Sequence, residues 1–182
     1  MSVPGEKWAR WRVPLGYWVG IACVLLARPT LTSIAIGSVI ALAGLAVRAT
    51  AAGHLRRAKG IADTGPYART RNPLYFGSTL LAAGFVVASH SLVSMLLLGA
   101  YFAVFYPIIM RREEAELRHN YGAAFEEYAS RVPLFWPKLG STGGAAKTQF
   151  SFAQYLHNRE YRAAIGTVLI MGFLLAMFFW RK

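Results

Sequence analysis

The stretch LTSIAIGSVIALAGLAV, residues 31–47, decides the fold of this chain. It runs without a charged side chain and approaches the about 20 apolar residues that an α-helix needs to cross the hydrocarbon core of a bilayer. Gly37, Ala41 and Gly44 recur on one face of that helix. Small side chains on one face let a second helix approach closely. The stretch therefore predicts a transmembrane helix with a close helical neighbour.

Four further apolar segments follow the same pattern, at residues 13–27, 74–89, 92–110 and 163–180. Short polar connections separate the first segment from the second and the third from the fourth, so each pair predicts a tight transmembrane hairpin. With 55% hydrophobic residues and a mean hydropathy of +0.38, a chain of 182 residues is too apolar for an ordinary soluble domain. We expect an all-α polytopic transmembrane helical bundle of about five spans, forming one domain over residues 1–182.

The formal net charge of +12 comes from Lys and Arg residues that lie between the apolar segments rather than along one polar face. This distribution argues against nucleic-acid binding and is typical of loops that face anionic lipid. Both long connecting segments, residues 48–73 and 111–162, are rich in these cations, whereas the hairpin turns carry only Arg28. Because cytoplasmic loops collect Lys and Arg, we expect the N-terminus and both long segments inside and the C-terminus outside.

The segment from Arg111 to Arg131 predicts a cytosolic amphipathic helix that continues out of the fourth span. Its apolar face consists of residues at steps of three and four: Leu117, Tyr121, Phe125 and Tyr128. Two opposite-charge pairs have the favourable i, i+4 order, Glu114 with Arg118 and Glu127 with Arg131. Beyond it, residues 138–149 have the composition of a flexible linker, and Phe152, Tyr155 and Leu156 predict a short interfacial piece before the fifth span.

Metal chemistry is not expected of this chain. Cys23 is the only cysteine and lies inside the first apolar segment, so neither a disulfide framework nor a thiolate site can form. The four histidines are too far apart in the sequence to form a pair of ligands on one helix. The chemistry must therefore come from other residue types.

Polar residues concentrate in two stretches, GPYARTRNPLYFG at residues 65–77 and the segment at residues 111–137, which the predicted orientation places at the same cytoplasmic face. Asn72 and Pro73 have the pattern of a helix N-cap followed by proline at the first helical position. Arginines beside tyrosines, and glutamates at a helix end, also occur as ordinary interfacial and solvated residues. The functional interpretation is a site for a cationic cofactor, which carboxylates, tyrosines and backbone groups can bind.

The two stretches together resemble the signatures of the isoprenylcysteine carboxyl methyltransferase family. GPYARTRNPLYFG is similar to that family's first signature, and EEAELRHNYGAAFEEYASRVPLFWP, residues 113–137, is similar to its second. The resemblance covers residues 65–137 and implies S-adenosylmethionine as cofactor. Where the family has a histidine this chain has Asn72, which cannot shuttle a proton near neutral pH, so a positioning role is expected there.

By this resemblance, the cofactor-binding residues are Tyr67, Asn72, Pro73, Tyr75, Glu113, Glu114, Leu117 and Tyr128. The resemblance assigns catalysis to Arg71, Glu113 and Arg131. Arg71 or Arg131 would hold a substrate carboxylate, since arginine grips a carboxylate with two hydrogen bonds. The expected acceptor is a lipophilic or lipid-anchored substrate that reaches an active site at the cytoplasmic face of the membrane from the surrounding lipids.

Three alternatives accompany this prediction. Membrane sterol and isoprenoid reductases have a similar signature and bind NADPH, but they usually have more spans and a longer chain. A phospholipid N-methyltransferase is similar in size and in its glutamate pair, with an amine as acceptor. A non-enzymatic membrane scaffold would leave the clustered Tyr, Arg and Glu residues without a shared purpose.

Overall fold

The computed structural model describes residues 11–55, 60–140 and 149–181, and within these ranges the chain is all-helical, as predicted. Besides a short 3₁₀ helix, Gly65–Ala68, the helices are α1 (Arg12–Leu25), α2 (Leu31–His54), α3 (Pro73–Ser89), α4 (Leu92–Tyr121), α5 (Ala123–Arg131), α6 (Phe152–His157) and α7 (Tyr161–Trp180).

Apolar helices occur at all five predicted segments. Helices α2, α4 and α7 are long and apolar enough to cross a membrane, by length and composition. Helices α1 and α3 have 14 and 17 residues, which at 1.5 Å per residue give about 21 and 26 Å against a hydrocarbon core of about 30 Å. The chain is thus a helical membrane protein, and three helices of its described part reach full spanning length.

Helix α2 extends seven residues beyond the predicted end at Val47, to His54. The added turns, RATAAGH, contain three alanines, and alanine has the highest helix propensity. The helix begins at a capping box, in which Thr30 and Ser33 each accept a hydrogen bond from the other's backbone N–H. The longer helix carries Arg48 inside the folded structure rather than in a loop.

Helices α2 and α3 pack closely along the predicted stripe of small residues. A Cβ added to Gly44 would lie 2.8 Å from the carbonyl oxygen of Gly77. A Cβ added to Gly84 would lie 2.6 Å from the carbonyl oxygen of Gly37. The Ser33 hydroxyl also crosses the interface and donates to the Ala88 carbonyl at 3.1 Å. The prediction of a close helical neighbour is confirmed, and the neighbour is α3.

Helix α7 runs antiparallel to α2. At its N-terminal end, the Asn158 amide donates to the carbonyl of Ala52 at 2.8 Å, near the end of α2. At its C-terminal end, Arg181 Nη1 donates to the carbonyl of Ala27 at 2.7 Å, just before α2 begins. The two helices therefore span the same thickness of the bundle.

The prediction of one continuous helix from Arg111 to Arg131 is wrong. Helix α4 ends at Tyr121, and Gly122 breaks the chain with φ 49° and ψ −123°, a conformation that residues with a Cβ rarely adopt. The ion-pair partner of Arg118 is Glu126 across the break, and Glu114 contacts Arg71 instead.

Two parts of the predicted second long segment have different outcomes. The predicted linker at residues 138–149 lies largely outside the described residues, which resume at Gln149. The predicted interfacial piece forms α6, whose N-cap residue Ser151 donates its backbone N–H to the Gly53 carbonyl at 3.1 Å. Phe152 on α6 is 63% exposed, and its location in the membrane interface stays a prediction.

Candidate functional site

The two polar stretches dock against each other through their backbones. The N–H of Arg71 donates to the carbonyl of Pro133 at 2.9 Å, and the N–H of Lys138 donates to the carbonyl of Arg69 at 3.0 Å. These bonds join positions more than 60 residues apart in the sequence. The pairing fixes the segment before α3 against the segment after α5.

Side chains of the first stretch strengthen this junction. The buried Thr70 hydroxyl donates to the Phe135 carbonyl at 2.9 Å. Asn72 is the N-cap residue of α3 and Pro73 its first residue, as predicted, but the Asn72 side chain makes no cap bond. Its amide instead donates to the Leu134 carbonyl at 3.0 Å. Asn72 therefore holds the two stretches together through a hydrogen bond that needs no proton transfer.

The GPY turn is held from the second stretch. Gly65 has φ +59°, and a Cβ there would lie 2.5 Å from the His54 ring, so both backbone and space favour glycine. The Tyr128 hydroxyl donates to the Tyr67 carbonyl at 2.8 Å. Burial raises the pKa of the Tyr128 hydroxyl above its usual range, so the group stays a donor well above neutral pH.

A small apolar cluster supports the same region. Phe125, Tyr128 and Val132 are buried together, and Leu117 and Tyr121 pack against them. The break at Gly122 lets α5 fold back on the end of α4, so the residues of the predicted apolar face still meet although no single helix carries them. Leu117 thus acts in this structure as a packing residue within the second signature.

Four charged and hydroxyl-bearing side chains form two neighbouring pairs where α3 begins and the apolar part of α4 ends. Arg71 Nη1 lies 2.6 Å from Glu114 Oε1, and each side chain is 15% exposed. The Tyr75 hydroxyl donates to Glu113 Oε1 at 2.6 Å, in an exposed position. We call Arg71, Tyr75, Glu113 and Glu114 the polar cluster. It gathers four of the ten residues that the resemblance assigned to the site.

Arg71 retains unused hydrogen-bonding capacity. Its Nε atom is buried and makes no hydrogen bond to the residues that the structure describes. Glu114 Oε1 is close enough to Arg71 for an ion pair but is not aligned for a hydrogen bond. A buried N–H without a partner costs free energy, which a ligand oxygen can recover.

Arg131 lies apart from the polar cluster. Its side chain is 50% exposed and lies 3.5 Å from Glu127, which confirms the predicted i, i+4 pair. Lys138 Nζ donates to the Arg131 carbonyl at 2.7 Å. The backbone of Arg131 thus belongs to the junction while its guanidinium faces outward, and its catalytic role stays a prediction.

A second largely buried ion pair, absent from the site predicted from the sequence, joins three helices. Arg48 on α2 bonds to both oxygens of Glu160, at 2.5 Å through Nε and at 3.0 Å through Nη2. Arg48 also donates to the hydroxyl of Ser78 on α3. The side chains of Arg48 and Glu160 are 22% and 9% exposed. The sequence could have indicated this pair, because Arg48 and Glu160 each adjoin an apolar segment. Unpaired charges are rarely buried beside lipid, so each of them needs a partner.

The comparisons with known proteins agree with a membrane enzyme. A family profile described as phospholipid methyltransferase matches residues 15–124, more than half of the chain. The chain is 33% identical over 84 residues to a nickel-cobalt-cadmium resistance protein of Alcaligenes xylosoxydans xylosoxydans, covering 46% of this chain and 39% of that protein. It is 30% identical over 103 residues to a cobalt-zinc-cadmium resistance protein of Cupriavidus metallidurans, covering 57% of this chain and 47% of that protein.

The chain thus spans less than half the length of these curated relatives. No solved structure matches it. The profile includes Tyr67, Arg71, Tyr75 and the Glu113–Glu114 pair, so the whole polar cluster lies within the matched residues.

Proposed function

This chain belongs to the phospholipid methyltransferase family, a family of membrane methyltransferases, and from that premise we propose that it uses S-adenosylmethionine to methylate the polar head of a lipophilic acceptor. The proposed reaction is carboxyl O-methylation of an isoprenylcysteine-like substrate at the cytoplasmic face of the membrane. The proposed catalytic unit is the single domain of residues 1–182, with the sites in segments 48–73 and 111–162.

The observation that carries the proposal is the polar cluster. Residues from two distant signatures meet at one end of the α3–α4 hairpin, through the contacts of Arg71 with Glu114 and of Tyr75 with Glu113. Solvated helix-face glutamates would not require partners from another segment. Two carboxylates, a tyrosine and an arginine at the end of apolar helices form a site that a polar ligand can enter from the water side.

The cluster fits the chemistry of the proposed cofactor. When bound, S-adenosylmethionine supplies an electrophilic methyl group, and it carries an amino group, hydroxyls and a sulfonium that suit carboxylate partners. Glu113 is exposed and keeps acceptor capacity beyond its bond from Tyr75. The buried Nε of Arg71 offers a donor to a carboxylate oxygen. These residues would bind and orient the cofactor, while Tyr67, Asn72, Pro73, Leu117 and Tyr128 hold the walls of the site.

The chemical identity of the acceptor's polar head, carboxylate or amine, is the more specific part of the proposal. Orientation of reactants supplies much of the catalysis when the nucleophile is already an anion, so the chain needs no dedicated base for a carboxylate acceptor. Arg71 or Arg131 would hold that carboxylate. The description of the matched family favours a second candidate, an amine head of a phospholipid. An amine acceptor must lose a proton during methylation, and the carboxylates Glu113 and Glu114 would be its partners.

Cofactor binding tests the proposal first. S-Adenosylhomocysteine and NADPH are titrated side by side into the purified protein by calorimetry, and we expect binding of the former alone. Binding of NADPH instead would assign the chain to a reductase activity. Binding of neither would favour a non-enzymatic scaffold.

The acceptor is tested with a labelled methyl group on S-adenosylmethionine, extracted membrane lipids and N-acetyl-farnesylcysteine. Carboxyl methylation predicts label that mild base releases, because methyl esters hydrolyse under those conditions. Label that resists base and remains on amine-bearing lipids would support the phospholipid candidate. Label found only in water-soluble acceptors would contradict both.

A further inference from the structure

A cavity of about 340 Å³ opens between four helices of the bundle. Its walls come from α1, α3, α4 and α7, and they consist almost entirely of apolar side chains and glycines. The volume is at the low end of the about 300–1,000 Å³ that small-molecule sites occupy. The cavity lies among helices whose surroundings are lipid, so an apolar occupant is the one its walls accommodate.

Aromatic side chains connect this cavity to the polar cluster. Phe102 lines the cavity, and its ring lies 4.2 Å from the ring of Tyr106, one turn further along α4. The Tyr106 ring lies 5.1 Å from that of Tyr75, whose hydroxyl donates to Glu113. A molecule with an apolar chain in the cavity can therefore extend its polar end along this series of rings toward the polar cluster.

The cavity has a polar edge on the same side. Ser78 lines the cavity, and its hydroxyl accepts a hydrogen bond from Arg48. Glu160, the partner of Arg48, is the N-cap of α7, whose first turns also line the cavity. The ion pair thus fixes α7 as one wall of the cavity. That wall lies outside the residues matched by the family profile, which end at 124.

Two glycines on different helices line the cavity and leave it open. Gly20 on α1 and Gly166 on α7 both line the cavity, and a Cβ on either would meet nothing within 4 Å. Neither glycine is therefore required by close helix packing. Their lack of side chains leaves room in the cavity instead.

We propose that this cavity holds the hydrocarbon chain of the methyl acceptor and that Gly166 determines how bulky a chain fits. The inference rests on the proposed function, because it takes the methyl acceptor as the occupant. It makes α7, beyond the family-matched residues, the element that gives this chain its acceptor specificity. A leucine at position 166 would place its side chain at the cavity wall, on a helix that carries no residue of the polar cluster.

The experiment compares Gly166→Leu with Gly172→Leu in full-length protein in lipid nanodiscs. Gly172 is on the same helix, has nothing within 4 Å of an added Cβ and does not line the cavity, so it controls for the change in helix propensity. The probe is a palmitic acid analogue with a mid-chain diazirine, and mass spectrometry maps its crosslinks. We expect crosslinks to cavity-lining residues and competition for them by N-acetyl-farnesylcysteine. Both should be lost in Gly166→Leu and kept in Gly172→Leu.

Catalysis provides a second measurement. The KM for N-acetyl-farnesylcysteine should rise roughly tenfold or more in Gly166→Leu, the effect of a misfitting group in an apolar pocket. S-Adenosylhomocysteine affinity should stay at the wild-type value, which also reports that the variant is folded. Gly20→Leu, on the wall that α1 contributes, provides an independent variant with the same expected result.

The outcomes separate this inference from the proposed function. Equal crosslinking and equal KM in Gly166→Leu and Gly172→Leu would overturn the inference while methyl transfer stands. Crosslinks to the cavity that the acceptor does not displace would assign the cavity to a bilayer lipid and overturn it as well. If the acceptor displaces the probe but S-adenosylhomocysteine does not bind, the cavity remains a site for the hydrocarbon chain and the methyltransferase proposal is rejected.

Discussion

Glu113 and Glu114 are adjacent in the sequence, but their side chains contact different partners. Successive residues of an α-helix point about 100° apart, so Glu113 reaches Tyr75 on α3 while Glu114 reaches Arg71 just before α3. Glu113 is exposed, whereas Glu114 is 15% exposed. Replacing Glu113 should therefore affect ligand binding with little effect on folding, and breaking the Arg71–Glu114 pair should affect both.

Glu113→Gln is expected to weaken S-adenosylhomocysteine binding roughly tenfold or more, because a hydrogen bond to a charged group contributes about 1.5–3 kcal/mol. Calorimetry measures the affinity, and an unchanged melting temperature shows that folding is intact. Glu116→Gln is the matched control, since Glu116 is an exposed glutamate of the same helix. Equal affinities for the two variants would return Glu113 to the role of a solvated surface residue.

Arg71→Met is expected to destabilise the protein by about 1.5–3 kcal/mol, because it leaves the carboxylate of Glu114 largely buried without its cation. Arg131→Met should change stability by no more than about 0.5 kcal/mol, since its pair with Glu127 is exposed. Unfolding in detergent, followed by circular dichroism, gives both values. A larger loss in Arg131→Met than in Arg71→Met would contradict the placement of the two guanidinium groups.

At the scale of helices, apolar runs and glycine spacing predict which segments are helical and where two of them touch. The ends of helices depend instead on local helix propensity and on glycine conformation. Alanine-rich turns extend α2 to His54, and Gly122 separates α4 from α5. Amphipathic periodicity continues across Gly122, since Leu117 and Phe125 still pack together, so it could not reveal the break. The close packing of α2 against α3 has a direct test.

Gly84→Ala is expected to destabilise the protein by about 1–3 kcal/mol, because the added methyl would overlap the backbone of Gly37 on α2. Gly99→Ala on α4 meets nothing within 4 Å, so it should be neutral or stabilise by up to about 1 kcal/mol through helix propensity. Melting temperatures of the two variants in one detergent provide the comparison. Gly84→Ala must lower the melting temperature relative to Gly99→Ala, and stabilisation by both substitutions would mean that α2 and α3 are further apart than in this structure.

At the scale of the whole molecule, long-range polar contacts order the helices. Arg48 with Glu160, Asn158 with Ala52, and Arg71 with Pro133 each join segments far apart in the sequence. Local patterns could predict the polar character of these residues but not their partners, because several cations and acceptors were available to each. The predicted orientation and the resemblance grouped the two signatures without giving their contacts, and Glu160 lay outside both. The ordering of the helices has consequences for topology.

The last prediction concerns which side of the membrane each end of the bundle faces. Helix α7 begins beside the end of α2 and ends beside its start, so five antiparallel helices place the long segments at one face and the hairpin turns at the other. The cationic long segments should lie in the cytoplasm. The only cysteine makes the test simple: in a Cys23→Ala background, single cysteines replace Ala62, Leu139, His90 and Trp180. An impermeant maleimide applied to whole cells should label positions 90 and 180, and after the membrane is opened positions 62 and 139 should label as well. Labelling of 62 and 139 from opposite sides would contradict the helix order, whereas labelling of only those two in whole cells would reverse the orientation and keep the fold.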